Sequence, residues 1–569
     1  MSDIPDEWLW IVIVGFIISF LLAFGIGAND VANTFGTSVG SKVITLLKAC
    51  ILASIFEILG AVLIGYRVSD TIRKGIIDVE PYNNSEKLLL MGNLCALTGS
   101  CVWMFVATFL SLPVSATHSI VGATVGFSLV AMGAKGVGWM KLGLIVASWF
   151  ISPVMSGGIS ALFFIFVRKF VLNKEKPLEP GLKLLPMFYA FTICINAISI
   201  FLDGSELLGF DKIPLYGTFI ISIGLAVITA LFVRLYVVPW MRRKIQGECD
   251  VELQDTNLIE KEQNLDELKS QTYNYSLVVD PPDDGCNGTE SKIGSDVMMT
   301  KLENGGGDNM MVTILDGPDM PNGAANLHNG ATNLHNGDAK HHVPLVDEFT
   351  EARAMNSTTA LLGTKGLSES AEKLPANGKD QTNCDEKGKK LLTRAAISDK
   401  KETTSLFSFL QILTAIFGSF AHGGNDVSNA IGPLVALWVI SNEQSVSQKA
   451  PTPIWILLYG GAGISIGLWV LGRRVIKTMG EDLSKITPSS GFCIEIGAAL
   501  TVLIASNVGI PISTTHCKVG SIVFTGRVRS NDNVDWSLFR NILIAWVVTL
   551  PASGLLSALM MYLLKEFAL

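Results

Sequence analysis

The sequence predicts an all-α polytopic membrane protein with about 10–12 transmembrane helices, built from two related halves with two re-entrant or broken hairpins. The 569-residue chain is 49% hydrophobic and only 16% charged, whereas soluble proteins carry about 25% charged residues. Apolar stretches long enough to cross a bilayer recur along it. Two polar motifs also occur in both halves and in the same order, which indicates an internal duplication.

The apolar stretches fall into two groups, each stretch being close to the roughly 20 residues that a membrane-crossing helix needs. They cover about 8–28, 43–66, 88–111, 141–168, 186–203 and 213–240, and then about 405–438, 454–473, 492–510 and 538–566. Two further stretches, about 112–133 and 511–527, are interrupted by Pro, Ser, Thr, Gly and His. These two are predicted to be re-entrant or broken elements. The acidic N-terminus lacks the basic region of a signal peptide, so the first stretch is expected to be a retained span.

A polar insert separates the two groups. Residues 245–404 are rich in Gly, Asn and Asp and poor in aromatics, a composition that cannot bury enough apolar area to fold and therefore predicts disorder. The predicted domains are thus an N-terminal membrane half at 1–244, which holds the first repeat and extra helices, the insert, and a C-terminal membrane half at 405–569.

Basic residues flank the insert and predict the orientation of the chain. Arg242, Arg243 and Lys244 precede it and Lys400 and Lys401 come just before its end, so the positive-inside bias places the insert in the cytoplasm. The sequon at Asn83 lies between the second and third spans and is predicted to face outside as a glycosylation site.

The first repeated motif carries a carboxylate beside two amides. Gly-Ala-Asn-Asp at 27–30 recurs as Gly-Gly-Asn-Asp at 423–426, and a second Asn follows each Asp by three residues. A charge at the bilayer centre costs about 2.5–3.5 kcal/mol, so its duplication favours a functional role over a buried helix cap. Carboxylate, amide and freed backbone oxygens suit an alkali cation. The candidate cation ligands are Asn29, Asp30, Asn33, Asn425, Asp426 and Asn429.

The second repeated motif supplies hydroxyls at a helix start. Pro-Val-Ser-Ala-Thr-His at 113–118 recurs as Pro-Ile-Ser-Thr-Thr-His at 511–516. A half-helix that begins there exposes N–H donors and a positive dipole end, which suits an oxyanion. The alternative is that the hydroxyls bond back to helix carbonyls. The candidate oxyanion-binding residues are Ser115, Thr117, Ser513, Thr514 and Thr515.

The remaining intramembrane ionisable residues have either a coupling or a structural role. Glu57 and Glu495 could complete a cation site or pair with polar neighbours, and His118, His422 and His516 could donate to an anion, sense protons or hold a hairpin in place. The sequence contains no nucleophile–base pair, metal-ligand spacing or phosphate-binding P-loop, so an enzyme and a catalytic residue are not expected.

Both motif pairs resemble the signature of the inorganic phosphate transporter (PiT) family. The likeness covers 1–244 and 405–569, and the long central loop is similar to that of animal members. The resemblance implies a sodium-coupled symporter, built from two inverted repeats, that imports inorganic phosphate across the plasma membrane by alternating access. It implies sodium binding at the Asn-Asp motifs, with Na⁺ at Asp30 and Asp426, and phosphate binding at the Ser/Thr-rich hairpins. Ala116 stands where the second copy has Thr514, so the phosphate site would be asymmetric.

The partners that follow are phosphate and Na⁺ as substrates and the lipid bilayer, with no cofactor and no nucleic acid. The sequence does not determine whether the protein forms a homo-oligomer. A retroviral envelope protein is a partner implied only by the resemblance, since some vertebrate members of the family resemble virus receptors. Two other functions remain alternatives: a proton-coupled carrier or channel for phosphate or another oxyanion such as sulfate, and a membrane receptor or scaffold that acts through the insert.

Overall fold

The computed structural model describes residues 4–202, 209–247, 396–472 and 478–567. These residues form helices, with two isolated β-bridges as the only extended pairing among them. They belong to one compact unit. The predicted disorder and cytoplasmic placement of the insert therefore concern residues that lie almost wholly outside the described part, and its predicted boundaries remain a prediction.

The helices fall into two series. The first comprises α1 (Asp6–Thr34), α2 (Gly36–Gly40), α3 (Leu46–Gly75), α4 (Glu86–Phe109), α5 (Ala116–Met132), α6 (Trp139–Val167), α7 (Leu178–Phe201) and α8 (Leu215–Phe232). The second comprises α9 (Lys401–Glu443), α10 (Ile454–Leu471), α11 (Pro488–Val508), α12 (Thr514–Arg529) and α13 (Trp536–Phe567). Eleven helices among the described residues are long and apolar enough to cross a membrane. The predicted fold class is therefore confirmed.

Equivalent helices of the two halves pack reciprocally. In chain order α1 corresponds to α9, α3 to α10, α4 to α11, α5 to α12 and α6 to α13. The N-terminal helix α1 packs on α10, and its counterpart α9 packs on α3; likewise α5 packs on α13, and α12 on α6. Each half is thus covered by the other across a pseudo-twofold axis. Helices α7 and α8 have no counterpart among the described residues and pack mainly on each other.

The two repeats run in opposite directions. Along the contact between α1 and α9, Gly15 lies against Leu437, while the Ser19 hydroxyl donates to the carbonyl of Ala430 at 2.9 Å. Residue numbers therefore rise along α1 as they fall along α9, so these equivalent helices are antiparallel. This is the geometry of an inverted repeat, as the family resemblance implied.

Helices α4 and α5 form hairpin 1, and α11 and α12 form hairpin 2. The two hairpins open at opposite ends of the bundle. Tyr82 bonds to Ser128 at 2.9 Å across the open end of hairpin 1, whereas Ser489 and Arg529 lie together at the open end of hairpin 2. Their turns, at 110–115 and 509–513, lie inside the bundle. The predicted spans 88–111 and 492–510 correspond to α4 and α11, which are long and apolar enough to cross a membrane and which also form the first arms of these hairpins.

Candidate functional site

The tips of the two hairpins touch each other. Thr117 Oγ1 donates to the carbonyl of Ile512 at 3.0 Å, and Thr515 Oγ1 donates to that of Val114 at 3.1 Å. Each contact is the counterpart of the other under the repeat. The two helices that begin at these tips, α5 and α12, are capped in the same way, because Ser115 accepts from the N–H of His118 and Ser513 from that of His516. The predicted oxyanion segments are therefore brought together.

The first Asn of each cation motif holds the hairpin of its own half. Asn29 Nδ2 donates to the carbonyl of Leu112 at 2.9 Å and to Thr108 Oγ1 at 3.2 Å, and its Oδ1 accepts from the N–H of Val114 at 3.2 Å. Asn425 Nδ2 donates to the carbonyl of Ile512 at 2.9 Å. These amides fix the hairpin turns against α1 and α9.

The second Asn of each motif reaches across to the other half. Asn33 Nδ2 donates to Thr515 Oγ1 at 2.9 Å, and Asn429 Nδ2 donates to Thr117 Oγ1 at 3.3 Å. Asn429 also donates to Asp426 Oδ1 at 2.9 Å. The amide motif and the hydroxyl motif, 80 or more residues apart in the sequence, thus form one continuous hydrogen-bonded site between the halves.

Two Asp residues and a His form the ionisable centre of this site. Asp30, His422 and Asp426 each offer one ligand atom, and these atoms all lie within 4.8 Å of one another. His422 Nε2 is 2.9 Å from Asp426 Oδ2, and its Nδ1 is 3.4 Å from Glu57 Oε1. Asp426 also accepts from Thr514 Oγ1 at 2.6 Å. The Na⁺ positions predicted at Asp30 and at Asp426 are therefore adjacent.

The carboxylates of Asp30 and Glu57 lie in this cluster with few donors around them. Both are 1% exposed; Glu57 Oε1 faces His422 Nδ1 at 3.4 Å, and the two Asp30 oxygens accept no hydrogen bond of standard geometry from the described residues. Buried polar atoms without partners are costly, whereas carboxylate oxygens are the ligands that hard cations take. The residues present therefore fit a small hard cation.

Glu495 is placed in a neighbouring network that joins several helices. It accepts from Thr37 Oγ1 and Ser38 Oγ, both at 2.6 Å, and from Thr414 Oγ1 at 2.8 Å. Gln411 Nε2 lies 3.5 Å from it. Glu495 and His422 line a cavity of about 20 Å³, together with Asn33, Gly418, Ala498, Ala499, Val502, Thr514 and Lys518. That is room for about one water-sized particle.

The two hairpin histidines are held between two tryptophans. Their ring centroids are 4.4 Å apart; His118 lies 3.8 Å from Trp149, and His516 lies 3.6 Å from Trp546. His516 Nδ1 is 3.1 Å from the carbonyl of Trp149, and His118 Nδ1 is 3.5 Å from that of Trp546. These contacts attach each hairpin to α6 and α13, which supports the structural alternative for both histidines.

Two features of the site were not anticipated. Lys518 lines the cavity although it lies in a hairpin arm otherwise read as apolar; its charge, in the middle of that stretch and nine residues before Arg527, was the available signal. No pattern in the sequence indicated that Thr37 and Ser38, in α2, contact Glu495.

Asn83, the predicted glycosylation site, is exposed and follows a short 3₁₀ turn; its glycosylation stays a prediction.

Replacing Asn29 by Ala is expected to loosen hairpin 1. The change removes three hydrogen bonds and leaves the buried carbonyl of Leu112 and N–H of Val114 without this partner. Each unsatisfied buried group costs about 1–3 kcal/mol, so the melting temperature of the purified protein should fall. The matched control is Asn442→Ala, whose amide bonds only to a carbonyl of its own helix. Equal melting temperatures for the two variants would contradict the role given to Asn29.

A helical bundle with inverted halves, paired re-entrant hairpins and buried ionisable side chains between the halves has the architecture of a secondary transporter. Comparison with known proteins agrees. The profile of the phosphate transporter family matches residues 26–557, and the chain belongs to this family. The resemblance drawn from the motifs is confirmed, and the protein is a multi-pass membrane protein.

The individual relatives are similar over almost their whole length. Sodium-dependent phosphate transporter 1-A of Danio rerio is 47% identical, with 99% of this chain and 95% of that protein aligned. Sodium-dependent phosphate transporter 2 of Bos taurus is 45% identical, with 98% of each aligned. A solved structure of "the sodium-dependent phosphate transporter" is 28% identical with a TM-score of 0.66, covering 98% of this chain and 99% of that one.

Proposed function

We propose that this protein imports inorganic phosphate together with sodium ions across the plasma membrane by alternating access. The observation that carries the proposal is the direct link between the carboxylates and the hairpin hydroxyls, in which Thr514 donates to Asp426 at 2.6 Å. A cation bound at the carboxylates would lie beside an anion bound at the hydroxyls. The names of the relatives, all sodium-dependent phosphate transporters, support the same pair of substrates.

The charges around His422 favour more than one sodium ion. Three buried carboxylates, Asp30, Asp426 and Glu57, surround this single imidazole. Together these acidic groups offer more carboxylate oxygens than one Na⁺ needs, so the cluster has ligands for two. If a monovalent phosphate accompanies them, one net positive charge enters per cycle, and the membrane potential contributes about 2.3 kcal/mol per 100 mV.

Phosphate would bind in competition with the contacts that join the hairpin tips. The hydroxyls of Thr117 and Thr515 now donate to tip carbonyls, and that of Thr514 donates to Asp426. To hold phosphate oxygens these hydroxyls must turn away from those partners. Ser115 and Ser513 cap α5 and α12 and keep the N–H groups at the helix starts oriented. Substrate binding and separation of the tips are thereby coupled.

Uptake of radiolabelled phosphate into proteoliposomes tests the proposal. An inward sodium gradient should drive uptake, an interior-negative potential should accelerate it, and replacement of Na⁺ by choline should stop it. Uptake driven by a proton gradient without sodium would instead support the proton-coupled carrier. A flux that responds to neither gradient and saturates at no phosphate concentration would support a channel.

Deletion of residues 258–378 tests whether the membrane helices transport phosphate without the insert, or whether the insert carries the function, as in a receptor or scaffold. The site is built from described residues on both sides of this segment, so the uptake rate per folded transporter should stay close to that of the full chain. The control is the full-length protein reconstituted at the same density. Loss of uptake with an unchanged melting temperature would show that the insert takes part in transport.

A further inference from the structure

Lys518 places a positive charge inside the bundle. It lies in the second turn of α12, within hairpin 2, and only 2% of its surface is exposed. Glu495, which lines the same cavity, is the acidic residue that interacts electrostatically with its ammonium group. Intramembrane charges are costly, and they usually pair with a counter-charge or mark a substrate pathway.

The acid nearest to Lys518 already has other partners. Glu495 lines the same cavity, but its two oxygens accept from the hydroxyls of Thr37, Ser38 and Thr414. The carboxylate is therefore oriented by three donors from α2 and α9 and makes no direct ion pair with the ammonium group. The Lys518 side chain instead shares the cavity with residues of the proposed transport site.

Those residues are Asn33 and Thr514. Thr514 precedes Lys518 by four positions on the same helix, so the two side chains project from one face. Asn33 reaches the same hairpin through Thr515 at 2.9 Å. Hairpin 2 thus contributes Thr514 and Lys518 to the lining of one cavity, and α1 contributes Asn33.

Hairpin 1 offers no such set. By the alignment of the two Pro-x-Ser-x-Thr-His segments, Ala116 corresponds to Thr514 and Ile120 to Lys518, and both are buried apolar residues. The two hairpins are equivalent in fold but not in charge. Of these two equivalent positions, only the one in hairpin 2 carries a positively charged side chain, Lys518. Hairpin 2 opens toward Arg529, at the end of the bundle where α9 begins.

We propose that Lys518 contacts phosphate directly and forms an anion subsite with Thr514 and Asn33 on the hairpin 2 side of the transport site. The inference rests on the proposed function and deepens it. An ammonium group on a flexible stem binds phosphate as a point charge, without the bidentate grip of a guanidinium group. Lys518 can therefore follow the anion as it leaves toward the open end of hairpin 2, and Glu495 stabilises the ammonium group once the anion has gone.

Phosphate and sodium affinities measured separately in proteoliposomes test this subsite. Lys518→Met is expected to raise the phosphate concentration for half-maximal uptake by about tenfold, while the sodium concentration for half-maximal uptake stays unchanged. Ile120→Met, at the equivalent position of hairpin 1, is the matched control and should leave both values at those of wild type. A wild-type phosphate affinity in Lys518→Met would overturn the subsite.

The double variant Glu495→Gln with Lys518→Met distinguishes a phosphate contact from simple charge balance. If Lys518 only neutralises Glu495, removing both charges restores wild-type phosphate affinity, and the subsite is rejected. If Lys518 binds the anion, the double variant keeps the weakened affinity of Lys518→Met. If the neutral variants do not fold, Lys518→Arg tests the phosphate contact instead. Because a guanidinium group grips phosphate in a bidentate way, tighter phosphate binding and slower turnover are expected. Wild-type values for both would reject the contact.

A binding measurement that needs no transport shows whether a negative result contradicts this inference alone or the proposed function as well. Inorganic phosphate added with Na⁺ should raise the melting temperature of the detergent-solubilised wild-type protein, and less so that of Lys518→Met. Absence of any effect on the wild type would contradict the proposed function itself. An equal effect on both proteins would contradict only the role of Lys518.

Discussion

Asp30→Asn and Asp426→Asn should each lower sodium-dependent phosphate uptake by about 100-fold, because a contact with a charged group is worth up to about 3 kcal/mol. Asn keeps the size of the side chain but removes its charge from the cluster around His422. With less negative charge to hold Na⁺, the positive field that attracts phosphate is lost as well. Initial uptake rates, measured over a range of sodium concentrations in proteoliposomes, give the size of the effect.

Asp78→Asn is the matched control for these two variants. Asp78 is exposed, and its carboxylate only accepts from the N–H of Glu80 at 3.2 Å. The same chemical change there should leave uptake unchanged. If Asp30→Asn and Asp426→Asn matched wild type in both rate and sodium dependence, the assignment of the cation site to this cluster would be rejected.

Gly423→Ala is expected to destabilise the folded protein by about 3 kcal/mol or more, at or above the upper end of the usual cost of overpacking. A Cβ at this position would lie 2.0 Å from the carbonyl oxygen of Glu57, so α3 and α9 could no longer approach each other. Such close backbone contact at small residues is a common way in which membrane helices associate. The readout is the melting temperature of the purified protein and the yield of monodisperse material.

Gly418→Ala lies on the same helix and provides the comparison. Nothing approaches within 4 Å of a Cβ built at Gly418, so this variant should melt at or slightly above the temperature of wild type. Equal melting temperatures for Gly418→Ala and Gly423→Ala would show that the contact between Gly423 and Glu57 does not hold α3 against α9.

The duplicated motifs made much of the fold and site predictable. Asn33 and Thr515 are joined in the structure, and both belong to segments whose repetition was visible in the sequence. Repetition of polar residues within apolar stretches predicts that they meet, since each copy needs partners that lipid cannot supply.

Other parts of the site depend on tertiary contacts that a one-dimensional pattern does not contain. Hydropathy measures the length and apolarity of a segment but not what it packs against, so the pairing of α4 with α5 and of α11 with α12 comes from the structure alone. The partners of Glu495 come from α2 and α9, and only the packing of α11 against both brings them together. The hairpin-holding role of Asn29 likewise depends on a turn 83 residues further along the chain.

The reciprocal bonds between the hairpin tips bear on how tightly ion flow is tied to phosphate movement. Thr117 and Thr515 each donate to a carbonyl of the other tip, so neither tip can withdraw without breaking both links. An ion arriving alone offers the hydroxyls no replacement acceptor, whereas a phosphate oxygen does. Under the proposed mechanism, the groups that would bind phosphate are therefore also the groups that would prevent sodium from crossing alone.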